Sequence, residues 1–189
     1  MRLVHLLSEK KSAIITRWFD VILETYPADT STFLKKQKNR FTNPVGQTIL
    51  QGIESIFDEL LQGSDPEKIS PFLDNIIRIR AVQDFTPSQA VSFIFSLKKV
   101  LREELVSESG ELLYRELQEL EAKIDFLALL CFDIFVKCRE QLYDIKANEL
   151  RNMTFRLLQR ANKMDEVQKD DPGPASSNVD NVKQKEVTK

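Results

Sequence analysis

Between Arg40 and Lys98, Asn43-Pro44, Asp65-Pro66 and Thr86-Pro87 each set a residue that caps helices directly before proline. A side-chain oxygen at the N-cap accepts from an orphan backbone N–H, and proline in the first turn gives up an N–H that had no partner. Each pair therefore fixes where a helix begins. Between them, apolar residues recur at spacings of three and four, so this part of the chain must fold as short helices docked on one another.

The remainder fits the same architecture. Leu3 to Tyr26 reads as a first helix, with Leu3, Leu7, Ile14, Trp18, Val21 and Ile22 on one face and Pro27 at its end. A linking segment with Phe33 and Leu34 follows, then a basic run, Lys35, Lys36, Lys38 and Arg40. The second helix runs from Asn43-Pro44 through Ile49, Ile53, Ile56, Phe57 and Leu60, and Gly63 closes it. Asp65-Pro66 opens the third, with Ser70-Pro71 as an alternative start. Thr86-Pro87-Ser88-Gln89 has the form of a capping box and launches the fourth. After Ser109-Gly110 comes the longest helix. There Leu113, Leu117, Leu120, Ile124, Leu127, Cys131, Ile134 and Cys138 alternate by four and three. The pattern then shifts phase to a thinner seam, Tyr143, Ala147, Leu150, Thr154, Leu157, Ala161 and Met164. The expected fold is all-α, a bundle of about five main helices with a long extended C-terminal helix. Its parts are a helical domain over 1–142, an exit helix over 143–164 and a disordered polar tail over 165–189.

Composition narrows the function classes. Hydrophobic residues make up 42% of the 189, enough for one core, and a net charge of −2 argues against nucleic-acid binding driven by bulk charge. Cys131 and Cys138 lie about 10 Å apart along one helix face, too far for a disulfide, so both are expected as buried thiols. The N-terminal apolar run is too short for a secretory signal. The segment from Ile124 to Val136 is too short for a membrane span and carries Asp125 and Asp133. A soluble cytoplasmic protein is expected.

The strings RFTNPVG and IIRIRAVQDFTPSQAVSFIFSLK resemble the N-terminal domain of RsbT co-antagonist (RsbRD-type) proteins, bacterial stress-sensing regulators related to the stressosome. The resemblance covers roughly residues 10 to 142. It implies a dimeric α-helical sensory domain without catalytic activity. In longer relatives of this kind a helix leads on to a STAS domain. Here a polar tail follows Met164, which implies a stand-alone sensor acting on a different partner.

Candidate site residues cluster at the corner before the fourth helix: Arg78, Arg80, Gln83, Asp84, Ser88 and Gln89, with Asn43 at the start of the second. Two arrangements fit them. In one, the arginines hold an anionic ligand beside the Thr86 helix N-terminus. In the other, Arg80 pairs with Asp84 and simply fastens the corner. Asn43 and Gly46 fit capping and close packing better than ligand contact. Asp125 and Asp133 lie about 12 Å apart, beyond the reach of a catalytic carboxylate pair, and suit salt bridges to the fourth helix or a solvated edge. The single histidine, His5, lies near the N-terminus, so no metal or other cofactor is expected and hydrolase triads are excluded in their usual forms.

The exit helix carries seven basic residues against three acidic ones from Lys137 to Lys163, a net of +4. Either two copies pair through Tyr143, Ala147, Leu150, Leu157 and Met164, or the basic face docks on an acidic partner or, less favoured, a membrane surface. The expected function is a non-enzymatic regulator of signal transduction acting by dimerisation and protein–protein contact. An adaptor docking on a larger complex through its basic helix is the alternative.

Overall fold

The structure, a computed structural model, describes residues 2–36, 39, 41–63, 65–83, 85–108 and 110–169, with side chains to 163. Lys38, Arg40, Asp84, the side chain of Met164 and residues 170–189 lie outside it. The described residues form seven α-helices and no strand: α1 (Arg2–Glu9), α2 (Lys11–Leu23), α3 (Ala28–Lys36), α4 (Pro44–Gln62), α5 (Pro66–Val82), α6 (Pro87–Glu104) and α7 (Glu111–Lys169). The fold is all-α, with a long C-terminal helix. No described helix is long and apolar enough to cross a membrane.

All three cap–proline pairs start helices. Asn43 Oδ1 accepts from Gly46 N at 2.8 Å, and Asp65 Oδ1 accepts from Glu67 N at 3.0 Å. At Thr86 the box closes both ways: the hydroxyl accepts from Gln89 N, and Gln89 Oε1 accepts from Thr86 N. Pro71 therefore lies inside α5, and the start is Asp65-Pro66 rather than Ser70-Pro71. Gly63 closes α4 at φ 155°, a backbone region that suits glycine.

Two expectations need correction. The first helix is broken at Lys10, whose backbone leaves the helical region (φ −91°, ψ 3°). The Lys10 ammonium donates to the Glu104 carbonyl at 2.6 Å, placing a cation where the end of α6 presents unpaired oxygens. The segment around Phe33 and Leu34 is the helix α3, not a linker. Asp29 in its first turn and Lys35 and Lys36 in its last complement the helix dipole, but Leu34 is its one buried residue, so it shows no apolar period.

The chain divides into two units, Met1–Tyr143 and Asp144–Lys189. In the first, α4 packs on α5 and α2 on α6. Gly52 lets α4 approach α5, since a Cβ there would meet Ile76 Cδ1 at 2.8 Å. The seam of α7 joins this core through Leu120, Ile124, Leu127, Cys131, Phe135 and Cys138. Bridges to α6 fix its register: Arg102 to Glu121, two bonds of 2.6 and 2.7 Å, and Lys98 to Asp125 at 2.7 Å. Both cysteines are free and buried, and burial pushes the Cys131 thiol from 9.0 up to about 12. In the second unit the described side chains of 144–163 are all exposed, Leu150 and Leu157 among them.

Candidate functional site

Arg80 occupies the last turn of α5, on the face that the Ile69, Leu73 and Ile76 pattern turns toward the core. Its side chain is fully buried. The guanidinium carbon lies 4.2 Å from the centre of the Phe85 ring, 5.5 Å from Tyr26 and 5.7 Å from Phe93. Nη2 donates to Thr25 Oγ1 at 3.1 Å and to the Gln89 carbonyl at 3.0 Å. Nε and Nη1 are buried without an acceptor.

Three elements build this arrangement. The turn after α2 supplies Thr25 and Tyr26; its shape is set by Thr25 Oγ1 and Tyr26 N, which donate to the carbonyls of Ile22 and Leu23. The extended residues between α5 and α6 supply Gln83 and Phe85, and α6 supplies Gln89 and Phe93. Tyr26 and Phe85 meet edge to face, centroids 5.2 Å apart. Behind them Trp18 stacks on Phe93 and its Nε1 donates to the Phe93 carbonyl at 2.7 Å, so the one tryptophan sits against the same cluster.

The electrostatics are unusual. Removing a charge from water costs several kcal/mol even after relaxation. Each ring recovers about 0.5–2 kcal/mol and each charged hydrogen bond about 1.5–3. Among the described residues no carboxylate pairs with Arg80, and its pKa is lowered by burial. Burial also raises the Tyr26 phenol, and the neighbouring guanidinium partly offsets that. Although Tyr26 feels this charge, its hydroxyl makes no hydrogen bond of good geometry. A cleft of about 370 Å3 opens here, lined by Thr25, Tyr26, Pro27, Thr30, Gln83, Phe85 and Gln89. Four of these seven residues touch the guanidinium through a ring or a hydrogen bond. Gln83 Oε1 is buried at the cleft without a partner.

The other candidates fall elsewhere. Arg78 is exposed and pairs with Asp74 on its own helix, which raises its pKa. It therefore shares no site with Arg80. Ser88 is exposed beside the Thr86 hydroxyl, 3.2 Å away, and the Gln89 side chain serves the cap while its carbonyl serves Arg80. Asn43 is buried at the start of α4, where its amide caps the helix and donates to the Leu34 carbonyl at 2.8 Å. A Cβ at Gly46 would collide with that amide, hence glycine. Whether Asp84 approaches Arg80 lies outside the described residues.

One residue that the sequence reading counted only among the basic residues of the exit helix belongs at this corner. Arg139 of α7 donates through Nη1 to the Ala81 carbonyl at 3.2 Å, capping the end of α5 one residue from Arg80. Its Nη2 donates to the Tyr143 hydroxyl at 3.1 Å and its head lies 5.3 Å from that ring. Residue spacing carries no trace of a bond spanning 58 positions.

The match that places the chain is the family model of the RsbT co-antagonist protein rsbRD N-terminal domain, which covers residues 12–150. The chain belongs to this family. Its members are regulatory domains of stress signalling, a role that implies contacts with other proteins. No curated protein and no solved structure matches the chain at a significant level.

Proposed function

We propose that this RsbRD N-terminal domain is a non-enzymatic sensor that reads its signal at the Arg80 corner and passes it to a partner through α7. The observation that carries this reading is the Arg139 bond to the Ala81 carbonyl. It ties the helix bearing Arg80 to α7, so a change of packing at the corner bears directly on the Arg139–Tyr143 segment. Such a change has an effect only if the signal binds one packing better than the other.

The output is pairing of two copies through the α7 seam. Tyr143, Leu150 and Leu157 are 58%, 64% and 63% exposed in the single chain, an apolar stripe that a second helix would cover. In sedimentation velocity, the full chain is expected as a dimer and Leu150→Asp/Leu157→Asp as a monomer with unchanged helix content. A double variant as dimeric as the parent would refute pairing through this seam.

A second reading rests on the basic side chains of Lys146, Arg151, Arg156, Arg160 and Lys163. All are exposed, and none forms an ion pair among the described residues. They suit an acidic surface on a partner complex, with binding that weakens as salt rises.

A further inference from the structure

From the Arg80 corner we infer a binding site for a small monoanionic carboxylate with an apolar body. The inference rests on the reading of that corner as the signal input and names the chemistry of the signal. Arg80 is a fully buried cation whose Nε and Nη1 lack an acceptor and which has no described counter-ion, immediately behind a cleft of ligand size. Among the described residues no carboxylate supplies the pairing that a buried structural arginine ordinarily finds.

The cleft itself selects among anions. Its walls are the Tyr26 and Phe85 rings and Pro27, and its polar groups are the Thr25 and Thr30 hydroxyls and the Gln83 and Gln89 side chains. Among the described residues no lysine or arginine lines it, and the positive charge next to it is that of Arg80, in contact with Thr25, Tyr26, Phe85 and Gln89 of the lining. One guanidinium balances one negative charge. A phosphate dianion calls for more cations or a cradle of backbone N–H groups. The adjoining Tyr26 and Phe85 rings favour a flat or short apolar body. Gln83 supplies an unpartnered amide oxygen, and rotation of the amide offers its NH2 group instead, so that side chain can turn a donor to the carboxylate.

The single tryptophan makes the site readable, because Trp18 stacks on Phe93 and Phe93 packs on Arg80. The probes are sodium benzoate, acetate, inorganic phosphate and the neutral isostere benzamide, added to the full chain at constant ionic strength. Trp18 fluorescence and thermal unfolding are the readouts. Benzoate is expected to give a saturable fluorescence change and a rise in Tm, acetate a weaker one, and benzamide and phosphate neither. Arg80→Met should weaken benzoate at least tenfold. Gln83→Ala, at a half-buried position, should weaken it several-fold. Equal responses to benzoate and benzamide, a response to phosphate alone, no saturable response to any carboxylate, or full benzoate binding by Gln83→Ala and Arg80→Met would each overturn the proposal. Pairing through α7, tested by sedimentation without any ligand, stands or falls separately.

Discussion

Asn43 and Arg80 are the two buried polar side chains recorded among the described residues, and both sit at a corner between helices. They solve burial in opposite ways. Asn43 spends its amide on the fold: Oδ1 caps α4 and Nδ2 holds the last turns of α3. Arg80 uses only Nη2, leaving Nε and Nη1 unpaired and its charge answered by aromatic faces. A buried polar group that is bonded stabilises its corner, whereas one left partly unpaired lowers stability. The difference marks the Asn43 corner as a fastening and is the basis on which the Arg80 corner is proposed as the signal input.

The largest expected effect separates the corners by pH. Asn43 has no proton to lose, whereas the Arg80 corner contains Tyr26, whose phenol burial raises above 10.0. A folded-state pKa above the unfolded one leaves stability intact below the unfolded value and removes it as pH rises toward the folded value. The Cys131 thiol on α7 obeys the same sign. The gap from 9.0 to about 12 corresponds to about 4 kcal/mol lost across that window. Denaturant unfolding between pH 7 and 11 should show this decline, and Cys131→Ala should delay its onset. Asn43→Ala should shift the whole curve down without changing its shape.

That shift is the next largest. Asn43→Ala removes a cap and a buried hydrogen bond, leaving Gly46 N and the Leu34 carbonyl short of a partner. A loss of about 2–4 kcal/mol is expected in urea unfolding. A loss below about 1 kcal/mol would show that the corner is held by packing instead.

Much of this was legible in the residues and some was not. The helix starts at Asn43, Asp65 and Thr86 follow from local chemistry, because a cap and its N–H lie within three positions. The α7 seam was legible for the same reason, as was the burial of Cys131 and Cys138. The break at Lys10 was hidden because its partner is a carbonyl 94 residues away, and α3 because it buries only Leu34. At the candidate site the pattern singled out Arg80, Gln83 and Gln89, which the fold brings together. It could not separate Arg78, whose exposure depends on which way α5 faces, nor assemble Tyr26, Phe85 and Phe93 from distant parts of the chain. Arg139 showed only as one of the basic residues of the exit helix, with nothing to tie it to the end of α5.

The contrast between the two corners turns on what Arg80 contributes to folding. Replacing it with methionine keeps the length of the stem against the three rings and removes a charge that lacks a described counter-ion. The Gln89 carbonyl retains a bond from Ser92 Oγ, and Thr25 Oγ1 still donates to Ile22. Urea unfolding of the full chain at neutral pH is the direct measurement. Arg80→Met is predicted to fall within about 1 kcal/mol of the parent, on either side of it. A loss of about 3 kcal/mol or more, the size expected on breaking a buried charge pair, would make Arg80 a fastening like Asn43 and contradict its role as a signal input.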